Sequence, residues 1–222
     1  MRFEPTLLAI LDIGGYTRFI RQRATTLPHA EEIITALLEA VIDGAELPLQ
    51  LNKLEGDAAL LWADAGLTPR AAAASALRRI EAAFGAFDRR RAAIAQERSH
   101  CECGACANIG ALEIKALLHV GDVAHKQVRG LHELAGEAVI LLHRLLKNRV
   151  AAPRYVLLTE GFQALLDDAP GSPAAIEAFE HPKGFEPMRV FLRLPPPTWA
   201  RDDRATMRGL QPGAIPVRST SD

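Results

Sequence analysis

The sequence predicts one mixed α/β domain, and three observations predict it. An apolar run, Leu7 to Leu11, is short enough to be a buried strand. Two stretches, 29–44 and 69–97, repeat apolar residues at helical spacing. From Leu112 to Val120 the chain alternates with a period of two, the mark of a strand with two different faces. With 222 residues, 49% hydrophobic and 24% charged, the chain has the length and composition for one substantial core. With a net charge of −1 no basic surface announces nucleic acid, so no nucleic-acid partner is expected. No apolar run approaches membrane-spanning length, and no basic-then-apolar leader opens the chain, so the expectation is a soluble cytoplasmic protein with no membrane partner.

In chain order, the first strand stops at Asp12, and Ile13-Gly14-Gly15-Tyr16-Thr17 turns into a short helix over Thr17–Arg23 with Thr17 as its cap. Pro28 opens a helix from His29 to about Gly44, with Ile33, Leu37, Leu38, Val41 and Ile42 as its stripe. Leu49–Leu54 and Ala58–Ala63 read as a hairpin joined at Glu55-Gly56-Asp57. Without a bulge, Leu49, Leu51, Lys53, Glu55 and Asp57 share one face. Thr68-Pro69 starts the longest helix, to about Glu97, packing through Leu77, Ile80, Phe84, Phe87 and Ile94.

The alternating strand puts Leu112, Ile114, Ala116, Leu118 and Val120 on one face and Glu113, Lys115, Leu117 and His119 on the other. Gly121-Asp122 is expected to turn the chain into a strand over Val123–Val128. Leu131–Gly136 is then a loop into a helix from Glu137 to about Asn148, where Ile140 and Arg144 share a face. Tyr155–Thr159 is a strand, Gly161–Leu166 a short helix and Asp167–Pro173 a loop. Phe185–Leu194 is the last strand, preceded by another near Ala178. The expected organisation is one domain, 1–194, with a cysteine-rich insert at 98–110 and a flexible Pro- and Arg-containing tail at 195–222.

Two stretches carry chemistry. At Asp12-Ile13-Gly14-Gly15-Tyr16 a carboxylate ends a strand, and glycines let backbone N–H groups come close to a ligand. That combination suits a metal-bound polyphosphate, and equally a plain turn. A second carboxylate, Asp57, follows Gly56 in the hairpin. The other stretch is Cys101-x-Cys103-x-x-Cys106, with His100 beside it. All three cysteines of the chain lie here, which is not a disulfide framework. Soft ligands this dense suit Zn²⁺ or an iron–sulfur cluster, or a loop of reduced thiols. Four ligands in seven residues cannot easily surround one tetrahedral ion, so three thiolates with a distant His or a partner's Cys fit better. The remaining histidines show no metalloenzyme spacing and read as surface or locally bonded residues. No nucleophile-elbow, Walker or dinucleotide glycine motif occurs.

Taken in order, the motifs resemble the class III adenylyl/guanylyl cyclase catalytic domain over roughly Leu7 to Leu194. Asp12-Ile-Gly-Gly-Tyr-Thr-Arg-Phe19 resembles its Asp-Ile-x-Gly-Phe-Thr-x-Phe motif, and Lys53-Leu-Glu-Gly-Asp57 its Lys-x-x-Gly-Asp hairpin. Leu118-His-Val-Gly121 resembles its strand ending in His-x-Gly. Gly136-Glu-Ala-Val139 with Arg144-Leu145 resembles its Gly-x-x-Val-Asn-x-Ala-x-Arg-Leu helix, and Tyr155–Glu160 the strand closing its core. The Cys-x-Cys-x-x-Cys segment resembles that of a small bacterial branch of this fold.

The resemblance implies an α+β sandwich: a ferredoxin-like, mainly antiparallel sheet with helices packed on one face, paired head to tail in a homodimer. It implies a purine nucleoside triphosphate as ligand and two Mg²⁺ or Mn²⁺ ions per site, held by Asp12, Asp57 and the Ile13 carbonyl. Gly14, Gly15 and Tyr16 would hold the triphosphate, Lys53 and Glu133 the purine edge, and Arg144 the transition-state charge, with these last three supplied by the partner. The reaction class is attack of the ribose 3′-oxygen on the α-phosphate, releasing pyrophosphate. Two positions depart from the pattern: Ile140 stands where the family has Asn, and Glu133 where it has Asp. The alternative to a weak cyclase is therefore a signalling or interaction module that keeps the fold without turnover.

Overall fold

The computed structural model describes residues 2–21, 26–166 and 175–194. The expected 167–173 loop, the end of the first short helix and the 195–222 tail lie outside these residues. Strand β1 (Arg2–Gly14) is central. It pairs antiparallel with β3 (Ala58–Asp64) on one side and with β4 (Glu113–Val128) on the other. The eight-stranded sheet runs β2 (Gln50–Glu55), β3, β1, β4, β6 (Tyr155–Thr159), β8 (Met188–Arg193), β7 (Ile176–Glu180), with β5 (Leu131–Ala135) also on β4. Every pairing is antiparallel except β4 with β6.

The alternation read from the sequence sorts the sheet's two faces. Leu7, Ala9, Leu11 and Ile13 of β1, with Ile114, Ala116 and Leu118 of β4, face α2 (Leu27–Ala45) and α3 (Pro69–Glu97). There Ile33, Leu37, Val41, Ile80, Phe84 and Phe87 are buried. Each large side chain so buried contributes about 1.5–3 kcal/mol, which is why these two helices anchor the layer. Leu8, Ile10 and Leu117 point the other way, onto α5 (Glu137–Leu145), which buries Ala138, Val139, Leu142 and Leu145. The two long helices thus lie together on one face, and the short α5 covers part of the other.

Four local expectations are corrected. Gly121-Asp122 is not a turn, because β4 runs through it unbroken as a sixteen-residue strand. Residues 131–135 are a strand rather than a loop, folded back onto β4 with Lys126 opposite Glu133. The pairing of β2 with β3 slips between Leu51 and Lys53, so the single face expected for Leu49 through Asp57 is broken at Asn52. The first short helix, α1 (Tyr16–Ile20), is capped by Gly15 and not by Thr17.

Gly121, inside β4, has a packing role instead. A Cβ there would lie 2.8 Å from Ala138 Cβ and 3.0 Å from His119 Nε2, so only glycine lets α5 sit this close to β4. A charged cluster closes the far end of α3. Arg154 donates to both oxygens of Asp88, at 2.7 and 2.6 Å, and Arg91 bridges Glu113 at 3.1 Å and the Leu112 carbonyl. Both guanidinium groups also cover phenylalanine rings, Arg154 over Phe84 and Arg91 over Phe87. These contacts lock α3 to the starts of β4 and β6, beside the site described next.

Candidate functional site

Where β1 ends, its last carboxylate meets the β2–β3 turn. The Ile13 N–H donates to the Asp57 carbonyl at 3.0 Å, which pins the hairpin tip to the strand end. Asp12 and Asp57 line one cavity of about 530 Å³, together with Ile13, Gly14, Gly15 and Tyr16. Gly15 turns the chain there with φ of +92°, a conformation that other residues rarely adopt. The Tyr16 hydroxyl donates to Glu31 of α2 at 3.0 Å, fixing the turn to the helix layer.

The electrostatics are those of two acids held close. Burial raises the pKa of Asp57 above the ordinary carboxylate range, and the neighbouring Asp12 charge raises it further. Lys115 answers part of this charge. It lies directly across from Asp12 in the β1–β4 register, and its Nζ is 3.0 Å from Asp12 Oδ2. Lys115 and Lys147 both line the cavity, as do Asn148 and Tyr155, whose side chains hydrogen-bond each other at 2.7 and 2.9 Å. The two carboxylates have the hard-oxygen chemistry that Mg²⁺ and Mn²⁺ take.

Lys53, Glu133 and Arg144 do not line this cavity. Lys53 is paired with Glu55 at 3.0 Å, and Glu55 accepts from His143 at 2.7 Å, next to Arg144 on α5. Asn52 donates to the His132 carbonyl at 2.9 Å, next to Glu133 on β5. Each of the three therefore adjoins a contact between β2 and β5 or α5. Arg144 also borders a small hollow with Glu180 and His181, while Ile140 is exposed one turn earlier.

The cysteine segment is drawn together as well. Helix α4 (Gly104–Ala107) packs on α2 and brings Cys101, Cys103 and Cys106 around His29, with all four ligating atoms within 4.8 Å of one another. The imidazole in this group is His29, not the adjacent His100.

Sequence reading missed Lys115, Asn148 and His29 as site residues. Lys115 carried a weak signal, being the lysine on the strand face that it shares with Glu113, Leu117 and His119. His29 carried none, since it stands 72 residues before Cys101. The histidines are also less scattered than expected. His119 bonds Thr159 at 2.9 Å, and His125 and His132 meet at 3.1 Å beside Trp62.

This arrangement of sheet and helices is the class III nucleotide cyclase catalytic-domain fold. The chain resembles the adenylyl cyclase CyaB from P. aeruginosa, with a TM-score of 0.65 at 16% identity over 86% of this chain and 94% of that one. It resembles the guanylyl cyclase Cya2, with a TM-score of 0.64 at 13% identity over 86% and 92%. It also resembles the guanylate cyclase domain of RhGC from Catenaria anguillulae in complex with GTP, with a TM-score of 0.62 at 15% identity over 86% and 97%. Within that fold, the chain belongs to the family described as "Protein of unknown function (DUF2652)", matched over residues 34–155. It is 39% identical over 133 residues to "Uncharacterized protein Rv2561/Rv2562" of Mycobacterium tuberculosis (strain ATCC 25618 / H37Rv), spanning 60% of each. Among the described residues, no helix is long and apolar enough to cross a membrane.

Proposed function

We propose that this domain binds a purine nucleoside triphosphate with divalent cations in the cavity at the end of β1, and converts it weakly to a cyclic nucleotide and pyrophosphate. One observation carries the reading: Asp12 and Asp57, far apart in sequence, line a single cavity with the Gly14–Tyr16 turn, close enough for one charge to raise the other's pKa. Two carboxylates held together against their own repulsion are a common mark of a cation site.

In this proposal Asp12, Asp57 and the Ile13 carbonyl hold two Mg²⁺ or Mn²⁺ ions. When bound, these would supply the charge that stabilises the attacking and leaving oxygens. The peptide groups of Gly14, Gly15 and Tyr16 would hold the triphosphate, and Lys115, paired with Asp12 here, would turn its ammonium toward a phosphate oxygen. The ribose 3′-oxygen forms a bond to the α-phosphorus, the bond to the β-phosphate oxygen breaks, pyrophosphate leaves and the 3′-hydroxyl proton passes to water. In a head-to-tail homodimer, Lys53 and Glu133 of the second copy read the purine edge and its Arg144 meets the charge developing on the phosphate. The domain organisation proposed with it is one unit, 1–194, followed by a tail.

The exposed Ile140 favours a second reading, a module that binds the nucleotide without turnover. An aliphatic side chain offers no hydrogen bond where the cyclases have Asn, and one such donor is worth about 10²–10³ in rate. Incubation with ATP or GTP and Mn²⁺, assayed for cyclic product in wild type and Asp57→Asn, separates the two. Product that disappears in the variant supports the cyclase. Calorimetric binding of a non-hydrolysable triphosphate without product supports the silent module, and no binding with either cation removes both.

A further inference from the structure

We propose that His29, Cys101, Cys103 and Cys106 bind one structural Zn²⁺ that ties the start of α2 to the connection between α3 and β4.

The geometry around one nitrogen carries this. His29 Nδ1 lies 3.5 Å from Cys101 Sγ, 3.5 Å from Cys103 Sγ and 3.6 Å from Cys106 Sγ. An imidazole nitrogen has either one proton or one lone pair, so it can satisfy one hydrogen bond and not three. Three sulfurs at one distance from it need another cause. In a tetrahedral site with Zn–S near 2.3 Å and Zn–N near 2.1 Å, the ligand sulfur and nitrogen atoms are separated by about 3.6 Å. The three separations match that tetrahedron edge, with the cation at its centre.

The surroundings fit a thiolate-rich centre. The Cys106 N–H points at Cys103 Sγ at 3.5 Å, the backbone donation that stabilises a thiolate in a tight Cys-x-x-Cys turn. Three thiolates and a neutral imidazole around Zn²⁺ leave one net negative charge. Arg98, ion-paired with Glu32, lies close enough to Cys106 to offset that charge. Cys106 is buried and the other three ligands are half-buried, and four protein ligands fill a tetrahedral sphere, leaving no position for an exchangeable ligand. A closed, soft, four-ligand site is structural rather than catalytic. A polynuclear iron–sulfur cluster fits less well, because cysteines on separate irons cannot all stand at contact distance from one imidazole nitrogen.

The metal adds to what core packing of Ala105 and Cys106 gives a very short helix. Helix α4 is four residues long and cannot hold itself together in water, yet it is packed on both α1 and α2. A cation joining ligands 72 positions apart in sequence supplies a further constraint.

The test uses the full chain, purified without a polyhistidine tag or chelator, and reads no nucleotide. Elemental analysis is expected to give one zinc per chain. Replacement by Co²⁺ is expected to give the visible absorption of a tetrahedral cobalt–thiolate centre. EDTA with a thiol reagent should release the metal and lower the melting temperature. His29→Gln should release zinc faster than wild type while its far-ultraviolet circular dichroism stays unchanged. A folded, metal-free protein whose three thiols all react without chelator would overturn the proposal, as would stoichiometric iron in place of zinc. Equal release from wild type and His29→Gln would remove His29 from the ligand set and the proposal with it.

Discussion

Lys115 and Asp12 stand opposite each other on β4 and β1, and their charged ends meet at 3.0 Å inside the cavity that also holds Asp57. Lys115 thereby offsets part of the repulsion between the two acids. Its replacement by Met should lower the melting temperature of the metal-free protein and enlarge the rise produced by Mn²⁺. Thermal scans with and without Mn²⁺ check this. An unchanged Mn²⁺ response would mean that Lys115 and the cation do not share Asp12.

Asp57 should show the opposite pattern. Its raised pKa means that the charged form costs more in the folded than in the unfolded chain. The metal-free protein therefore loses stability as pH rises from the ordinary carboxylate range through the folded value, and the cost is complete above it. Asp57→Asn should be more stable than wild type at pH 8, with the gap closing in acid. The same variant should lose Mn²⁺-dependent stabilisation. Denaturant titrations at two pH values read both effects.

His119 sets a second pH dependence. Burial pushes its pKa down to about 4, so it is neutral in the fold while an unfolded histidine takes up a proton near 6.5. Its contribution is fully present above the unfolded value and is lost as pH falls toward 4, at most about 3 kcal/mol. His119→Gln should flatten the fall in melting temperature between pH 7 and pH 4.5. An equally steep profile in the variant would assign acid sensitivity elsewhere.

Gly121→Ala tests the close approach of α5 to β4. The new methyl would stand 2.8 Å from Ala138 Cβ, so either the helix or the strand must move. Overpacking of this kind costs about 1–3 kcal/mol, measurable by urea unfolding. Pairing it with Ala138→Gly should recover part of the loss, because that removes the opposing methyl.

Ile140 is 53% exposed, so its replacement should leave the fold undisturbed. Ile140→Asn restores a hydrogen-bonding side chain one turn before Arg144. On the cyclase reading, it should raise the rate of cyclic product formation by about 10²-fold at unchanged stability. No gain, with binding intact, would favour the module without turnover.

Local patterns along the chain were enough to read the central strand, both long helices with their buried stripes, and the closing strand Tyr155–Thr159. The helices are set by a period of 3.6, and the two strands by short continuous apolar runs that are buried on both faces. Order along the chain was also enough to resemble the cyclase fold. What only the tertiary structure decided concerns residues that meet across segments. Gly121-Asp122 looks like a turn locally, yet β4 continues through it because β1 offers it partners to its far end. Leu131–Ala135 becomes a strand for the same reason, since β4 is long enough to pair it. Lys115 reaches Asp12 only through the register of two strands about a hundred residues apart, and His29 joins the three cysteines only because α4 packs on α2. Short-range periodicity records which face of an element is buried. It holds no record of which polar side chain waits on the neighbouring element, because that contact is made by packing and register.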